Sequence, residues 1–269
     1  MTPISTISTN DRLALFGLGL FETLLITTRG ALFDDLHWER MYRGAKILGL
    51  KMPDQQKWRL IIQDFVRQYS YSDPFALRIT LSGGTPATNL PSQLLLHQRP
   101  IPYTPEQYSS GIKLHLLPYP RNEQSPLCNI KSTNYLENLL AKEEAVSNGC
   151  DEGVWLNTQG YLAEGTMSNL FFIKDKTLYT PALTSGCLPG TRRQIILDLA
   201  RSKNIFTKEG FYTLNDLLSA DEVFMTNSLM GLMPVRSLNG CSYRVSLPHS
   251  KDSIMRNLEH SYSNLIKEQ

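Results

Sequence analysis

Three short strings hold the residues whose types and spacing could carry chemistry. Ile130-Lys131-Ser132-Thr133-Asn134-Tyr135 sets a lysine ahead of small polar residues and a predicted helix. A lysine amine acts as nucleophile or base when burial and neighbouring cations lower its pKa, and otherwise stays a solvated surface charge; the string alone leaves both readings open. Gly160-Tyr161-Leu162-Ala163-Glu164-Gly165-Thr166-Met167-Ser168-Asn169-Leu170-Phe171 places Glu164 at a predicted strand end, where an isolated glutamate would be a surface charge. Leu188-Pro189-Gly190-Thr191-Arg192-Arg193 opens a predicted helix, and backbone N–H groups at its positive end suit a phosphate. A plain helix cap would use the same residues.

Other chemistries lose support. The chain has no G-x-x-x-x-G-K-[ST], G-x-S-x-G or H-E-x-x-H string, and His37, His97, His115, His249 and His260 are too scattered for a metal site. Cys128, Cys150, Cys187 and Cys241 show no C-x-x-C spacing and read as reduced thiols. Phe16-Gly17-Leu18-Gly19-Leu20 lacks the third glycine and the preceding strand of a dinucleotide fingerprint, so a turn before a strand is expected.

The elements that must position these residues follow from periodicity. Phe21 to Thr28 reads as a strand, Arg29-Gly30 as a turn and Ala31 to Phe33 as the returning strand. A helix capped by Asp34 or Asp35 follows, with Trp38, Met41, Ala45 and Leu48 on one face; the next shows Trp58, Ile61, Ile62, Phe65, Val66 and Tyr69 at helical spacing. Alternation from Phe75 to Leu81 predicts a half-buried strand, with another at Gln93 to His97. Further on come a strand at 112–117, a helix from about 135 to 147, a hairpin at 153–156 and 161–164, strands at 169–174 and 177–180, a helix from 191 to about 202, a strand at 222–226 and a closing helix at 254–266. Without a regular βα alternation the fold class is α+β.

At 269 residues the chain exceeds the usual size of one domain. Arg99-Pro-Ile-Pro-Tyr-Thr-Pro105 is extended and cannot join a central ladder, giving a small N-terminal α+β domain over 1–105 and a larger C-terminal domain over 106–269. The 27 basic against 25 acidic residues create no field for nonspecific nucleic-acid binding. No run has the length of a membrane helix and no basic-then-apolar leader is seen, which leads us to expect a soluble cytoplasmic protein.

In order and spacing the strings resemble the fold-type IV pyridoxal-phosphate enzymes, the family of branched-chain aminotransferase, D-amino acid aminotransferase and aminodeoxychorismate lyase. The resemblance runs from Phe16-Gly17 and Phe21-Glu22-Thr23 to Asn227-Ser228-Leu229-Met230. It implies that the 106–269 domain binds pyridoxal 5'-phosphate, with Lys131 joined to it as an imine and later shuttling protons, and Glu164 facing the pyridine nitrogen. Arg40, Gly190, Thr191 and Ser228 would serve the phosphate, and Asn134 and Tyr135 would line the cofactor near Lys131. Phe21-Glu22-Thr23 and 222–235 look most like the lyase branch, which implies elimination of pyruvate from 4-amino-4-deoxychorismate to give 4-aminobenzoate for folate, with Thr23 assisting the proton transfer. Family alternatives are a D-amino acid or branched-chain aminotransferase; a noncatalytic pyridoxal-phosphate-binding or interaction protein is the alternative from another class. The chain departs from many lyases at Leu18, where they have Asp, and in Ser82-Gly83-Gly84-Thr85-Pro86, where they have an arginine. Carboxylate recognition is left with Arg192 as its candidate. The resemblance also implies a homodimer.

Overall fold

Strand alternation and two amphipathic helices build the first part of the molecule. The computed structural model describes residues 3, 6–68, 73–85, 91–245 and 252–269; Tyr69, Pro86 and His249 lie outside them. The chain divides into two compact units, one of Met1–Pro102 with Ile130–Tyr135 and Gln269, the other of Tyr103–Asn129 with Leu136–Glu268.

The first unit contains α1 (Arg12–Phe16), β1 (Gly19–Thr27), β2 (Gly30–Ala31), α2 (Asp34–Leu48), α3 (Gln55–Arg67), β3 (Phe75–Ser82) and β4 (Leu94–Arg99). Its sheet is antiparallel in the order β2-β1-β3-β4. Leu20, Leu24, Ile26, Leu77, Ile79, Leu81 and Leu94 share one core with Met41 and Ala45 of α2 and Trp58, Ile61 and Ile62 of α3. Because side chains alternate along a strand, Phe21, Thr23, Arg78 and Thr80 project from the other face. The returning strand is shorter than its sequence suggests. Phe33 takes a left-handed φ of 56° directly before α2, which ends the pairing, and it is Phe33 that occupies the N-cap position. Asp34 and Asp35 lie inside the first turn, where their charges complement the helix dipole. Gly17 is the expected turn: its φ of 64° closes α1 ahead of β1.

The second unit follows as α4 (Pro105–Ser110), β5 (Ile112–Leu116), α5 (Leu136–Ser147), β6 (Glu152–Leu156), β7 (Leu162–Gly165), β8 (Asn169–Lys174), β9 (Thr177–Pro181), α6 (Thr191–Ser202), β10 (Thr207–Gly210), α7 (Leu214–Leu218), β11 (Glu222–Asn227), β12 (Gly231–Leu238), β13 (Cys241–Ser242) and α8 (Ile254–Glu268). Its sheet runs β10-β9-β8-β11-β12-β5-β6-β7, with β13 beside β12. Among the described residues only β9 with β10 and β5 with its neighbours β12 and β6 pair in parallel, so the fold is α+β. Leu170, Phe172, Val223, Met225, Met233 and Val235 fill one core, while α6 packs on β11 and α8 on β12. Pro105 does not simply extend a linker: it starts α4 under a capping box from Thr104 and Gln107. Among the described residues no helix is long and apolar enough to cross a membrane.

Candidate active site

The segment 130–135 is laced along the open edge of β1. Phe21 donates its N–H to the Lys131 carbonyl and Thr133 to that of Gly19, both at 2.9 Å, with Ser132 bridged to Leu20 between them. This backbone pairing sets Lys131 Nζ 4.3 Å from the centre of the Phe21 ring and 5.2 Å from that of Tyr135. The two rings meet edge to face at 5.1 Å. Asn134 sits at the mouth of the segment and donates to the Gly17 carbonyl at 3.0 Å, so it braces the turn ahead of β1.

A second cation shares the Phe21 ring. The Arg78 guanidinium carbon is 3.7 Å from its centre, and Thr23 stands directly opposite Arg78 in the register of β1 and β3. Arg78 is half-buried and forms no ion pair among the described residues. Burial pushes its pKa down, and Arg99 adds to the effect. An unneutralised arginine beside a lysine and a hydroxyl is suited to hold a carboxylate. Sequence reasoning passed over it. The signal was available in the alternation from Phe75 to Leu81, which places one guanidinium on the polar face of that strand.

Arg40 approaches the sheet from the helix side. Its Nε and Nη2 donate to the two carboxylate oxygens of Glu22 at 2.8 and 2.6 Å, and His37 Nδ1 meets the same carboxylate at 2.6 Å. Burial alone would raise the Glu22 pKa. The charge and hydrogen bonds of Arg40, then of His37, overcome it and hold the carboxyl at about 2.

In the second unit, β7 carries Glu164. One oxygen, Oε2, accepts from the Leu188 N–H at 2.9 Å and from Asn169 Nδ2 at 3.2 Å, and Oε1 lies 3.5 Å from Arg121 Nη2. Asn169 also donates to the Leu188 carbonyl, which ties the strand to the turn leading into α6. A Cβ at Gly190 would collide with the Asn169 amide oxygen, so glycine is required there. Gly190 caps α6 with no side-chain acceptor, and the first turn holds Arg192 and Arg193 but no acid. The N–H groups of that turn and the positive helix end suit an anion.

The turn after β11 is fixed beside that helix end. Asn227 Oδ1 accepts from the N–H groups of Leu229 and Met230, while its Nδ2 donates to the Tyr103 hydroxyl at 2.7 Å and the Met167 carbonyl at 3.2 Å. Arg192, only 1% exposed, donates through Nη2 to the Ser228 carbonyl at 3.2 Å and so clamps the two turns together. Within this unit the structure gathers Gly190, Thr191, Arg192 and Ser228 in one place. Within the first, it gathers Lys131, Tyr135, Phe21, Arg78 and Thr23. Asn169, Arg121 and Arg78 are site residues to which no role was given from sequence.

The model of the amino-transferase class IV family matches residues 19–238. An aminodeoxychorismate lyase of Vibrio harveyi is 30% identical over 259 residues, covering 93% of each chain. The crystal structure of 4-amino-4-deoxychorismate lyase from Pseudomonas aeruginosa is 27% identical, covers 97% of this chain and 96% of its own, and superposes with a TM-score of 0.85. A branched-chain-amino-acid aminotransferase of Escherichia coli reaches 43% identity, but over 107 residues, 40% of this chain and 35% of the relative.

Proposed function

Because the chain belongs to the amino-transferase class IV family, we propose that it is a pyridoxal 5'-phosphate-dependent 4-amino-4-deoxychorismate lyase, forming 4-aminobenzoate and pyruvate on the route to folate. The observation that carries this reading is the face of β1 and β3 on which Thr23 opposes Arg78 beside the ring that touches Lys131. Lyases 27% and 30% identical over more than nine-tenths of the chain support it; aminotransferases match as well, one at 43% identity over 40% of the chain and a putative branched-chain one at 28% over 87%.

The residues suit the cofactor. The Gly190 cradle and the acid-free first turn of α6 fit its phosphate, and Glu164 offers a fixed carboxylate to a protonated ring nitrogen. When bound, pyridoxal phosphate supplies an electron sink for carbanion chemistry. Lys131 Nζ would hold the cofactor, and its amine would serve as the base for the proton on the amine-bearing carbon of the substrate. Thr23 Oγ1 orients that amine or relays the proton. Gly190, Thr191 and Ser228 hold the phosphate with Arg40, whose guanidinium Glu22 orients; Asn134 and Tyr135 frame the lysine. Arg78 binds a substrate carboxylate. Arg192 acts as a clamp between the turn that opens α6 and the turn after β11, because a guanidinium this buried orients backbone more readily than it meets substrate.

A small domain over 1–105, which takes in the Lys131 segment 130–135 by its pairing with β1, a larger cofactor-binding one over the rest of 106–269, a homodimer and a cytoplasmic setting complete the proposal. The +2 net charge and the absence of a membrane-length helix among the described residues are in keeping with it. Incubating the purified protein with 4-amino-4-deoxychorismate tests the activity. Appearance of 4-aminobenzoate and pyruvate in equal amounts is expected; conversion of amino acids to 2-oxo acids with no 4-aminobenzoate would make it an aminotransferase.

A further inference from the structure

We propose that Arg121 is a positioning residue that keeps Glu164 ionised, so that a proton shared with a bound pyridine nitrogen stays on the ring; this rests on the cofactor reading above. Arg121 precedes Lys131 by one short loop in sequence but takes its place from β6: its N–H donates to the Leu156 carbonyl at 2.8 Å and its backbone is bridged to Asn157. The side chain is 9% exposed, and the guanidinium lies 4.7 Å from the centre of the Trp155 ring. A ring face attracts a cation and holds it flat.

Two carboxylates then divide that cation. Nη1 donates to Glu137 Oε2 at 2.9 Å, and Nη2 reaches Glu164 Oε1 at 3.5 Å, with Asn138 Oδ1 also at 3.5 Å from Nη1. The Glu137 contact is a charge-assisted hydrogen bond. The Glu164 contact exceeds hydrogen-bond length, so Arg121 acts on that carboxylate through its charge. This matters because the Glu164 side chain is 6% exposed, and Leu188 N–H and Asn169 Nδ2, which donate to its other oxygen, are neutral. A carboxylate taken out of water without a countercharge picks up a proton, and a neutral carboxyl cannot stabilise a protonated ring. The thiols nearby do not substitute for the cation: burial pushes both Cys128 and Cys187 up, leaving them uncharged. Arg121 itself loses basicity to burial but is raised overall by Glu164, then by Cys128 and Glu137, and remains a cation.

The test uses protein loaded with cofactor carrying an isotope-labelled ring nitrogen, read by nuclear magnetic resonance at neutral pH and equal occupancy. The wild type should give a protonated ring signal, Arg121→Met a signal shifted towards neutral pyridine, and Arg121→Lys a signal close to wild type. A merely structural role would alter occupancy or stability, not the ring signal of the bound fraction. An unchanged signal in Arg121→Met, or a neutral one in folded Arg121→Lys, overturns the proposal. Should Arg121→Met fail to fold, the lysine variant alone decides. If the wild type takes up no cofactor, the cofactor reading fails separately, and the infrared band of Glu164, assigned with Glu164→Gln, is followed in the cofactor-free proteins. Loss of its carboxylate band on removing the guanidinium supports Arg121; an unchanged band overturns it.

Discussion

Glu22→Gln keeps the shape of the side chain and removes one charge from the buried cluster with Arg40 and His37. Glu22 is fully buried, and its carboxyl is lowered from 4.5 to about 2 because Arg40 and His37 outweigh desolvation. At about 1.4 kcal/mol for each tenfold in proton affinity, that drop corresponds to about 3 kcal/mol of linkage. The sign follows from the folded pKa being the lower one. The contribution is complete above the ordinary carboxylate pKa, and it is lost as pH falls from about 4.5 to about 2. The amide also strands Arg40 and costs roughly 3–5 kcal/mol where a buried pair loses one partner. With urea slopes of about 1–3 kcal/mol per molar, the neutral-pH midpoint of the variant should fall by about 1 M or more. Urea titrations of both proteins from neutral to acid pH make the assay. Other carboxylates titrate alike in the two chains, so the gap between midpoints isolates Glu22 and should narrow with acid. A gap of constant size would refute the reasoning, because it would mean that the carboxylate charge contributes nothing.

Borohydride reduction of the cofactor-loaded protein followed by peptide mapping should place the label on Lys131, and Lys131→Ala should remove it; a label elsewhere moves the centre of the site. Thr23→Val keeps a strand-friendly shape without the hydroxyl, and 4-aminobenzoate formation should drop by roughly 10²–10⁴ if that hydroxyl moves protons, with cofactor affinity little changed. Arg78→Gln should lower kcat/KM by about 10–100-fold, the scale of a lost hydrogen bond to a charged group, mainly through KM; an unchanged KM would release Arg78 from substrate binding. Gly190→Ala forces a Cβ against the Asn169 amide and should weaken pyridoxal-phosphate uptake in an equilibrium titration while leaving borohydride labelling of Lys131 intact in whatever fraction binds.

Local rules served where one element settles its own ends. The helix at Thr191 to Ser202 and the strand from Asn169 to Lys174 fall where periodicity and punctuation put them. They failed where a distant partner decides. Nothing near Phe33 announces that it takes a left-handed conformation, and so the aspartates looked like caps. β12 escaped because Pro234 argues against a central strand. It is tolerated because the pairing with β5 begins at Val235, leaving the nitrogen of Pro234 outside that ladder. The strings around Lys131, Glu164 and Gly190 were legible as a pattern, whereas Arg78 and Arg121 were not: each is defined by a ring and a charge that only the fold supplies. Arg40 was legible as a residue, but its bidentate hold on Glu22 was not.

The pairing of 130–133 with the start of β1 has a bearing on synthesis. Thr133 and Gly17, joined by a hydrogen bond, are 116 positions apart, and a ribosome adding about 5–20 residues per second needs roughly 6–23 s to make the intervening chain. During that interval the backbone of Gly19 to Phe21 emerges with nothing on its outer side, an exposed edge of the kind that invites pairing with another nascent copy. The lysine-bearing segment therefore ends a period of vulnerability when it docks, and a translational stall ahead of residue 130 would prolong it.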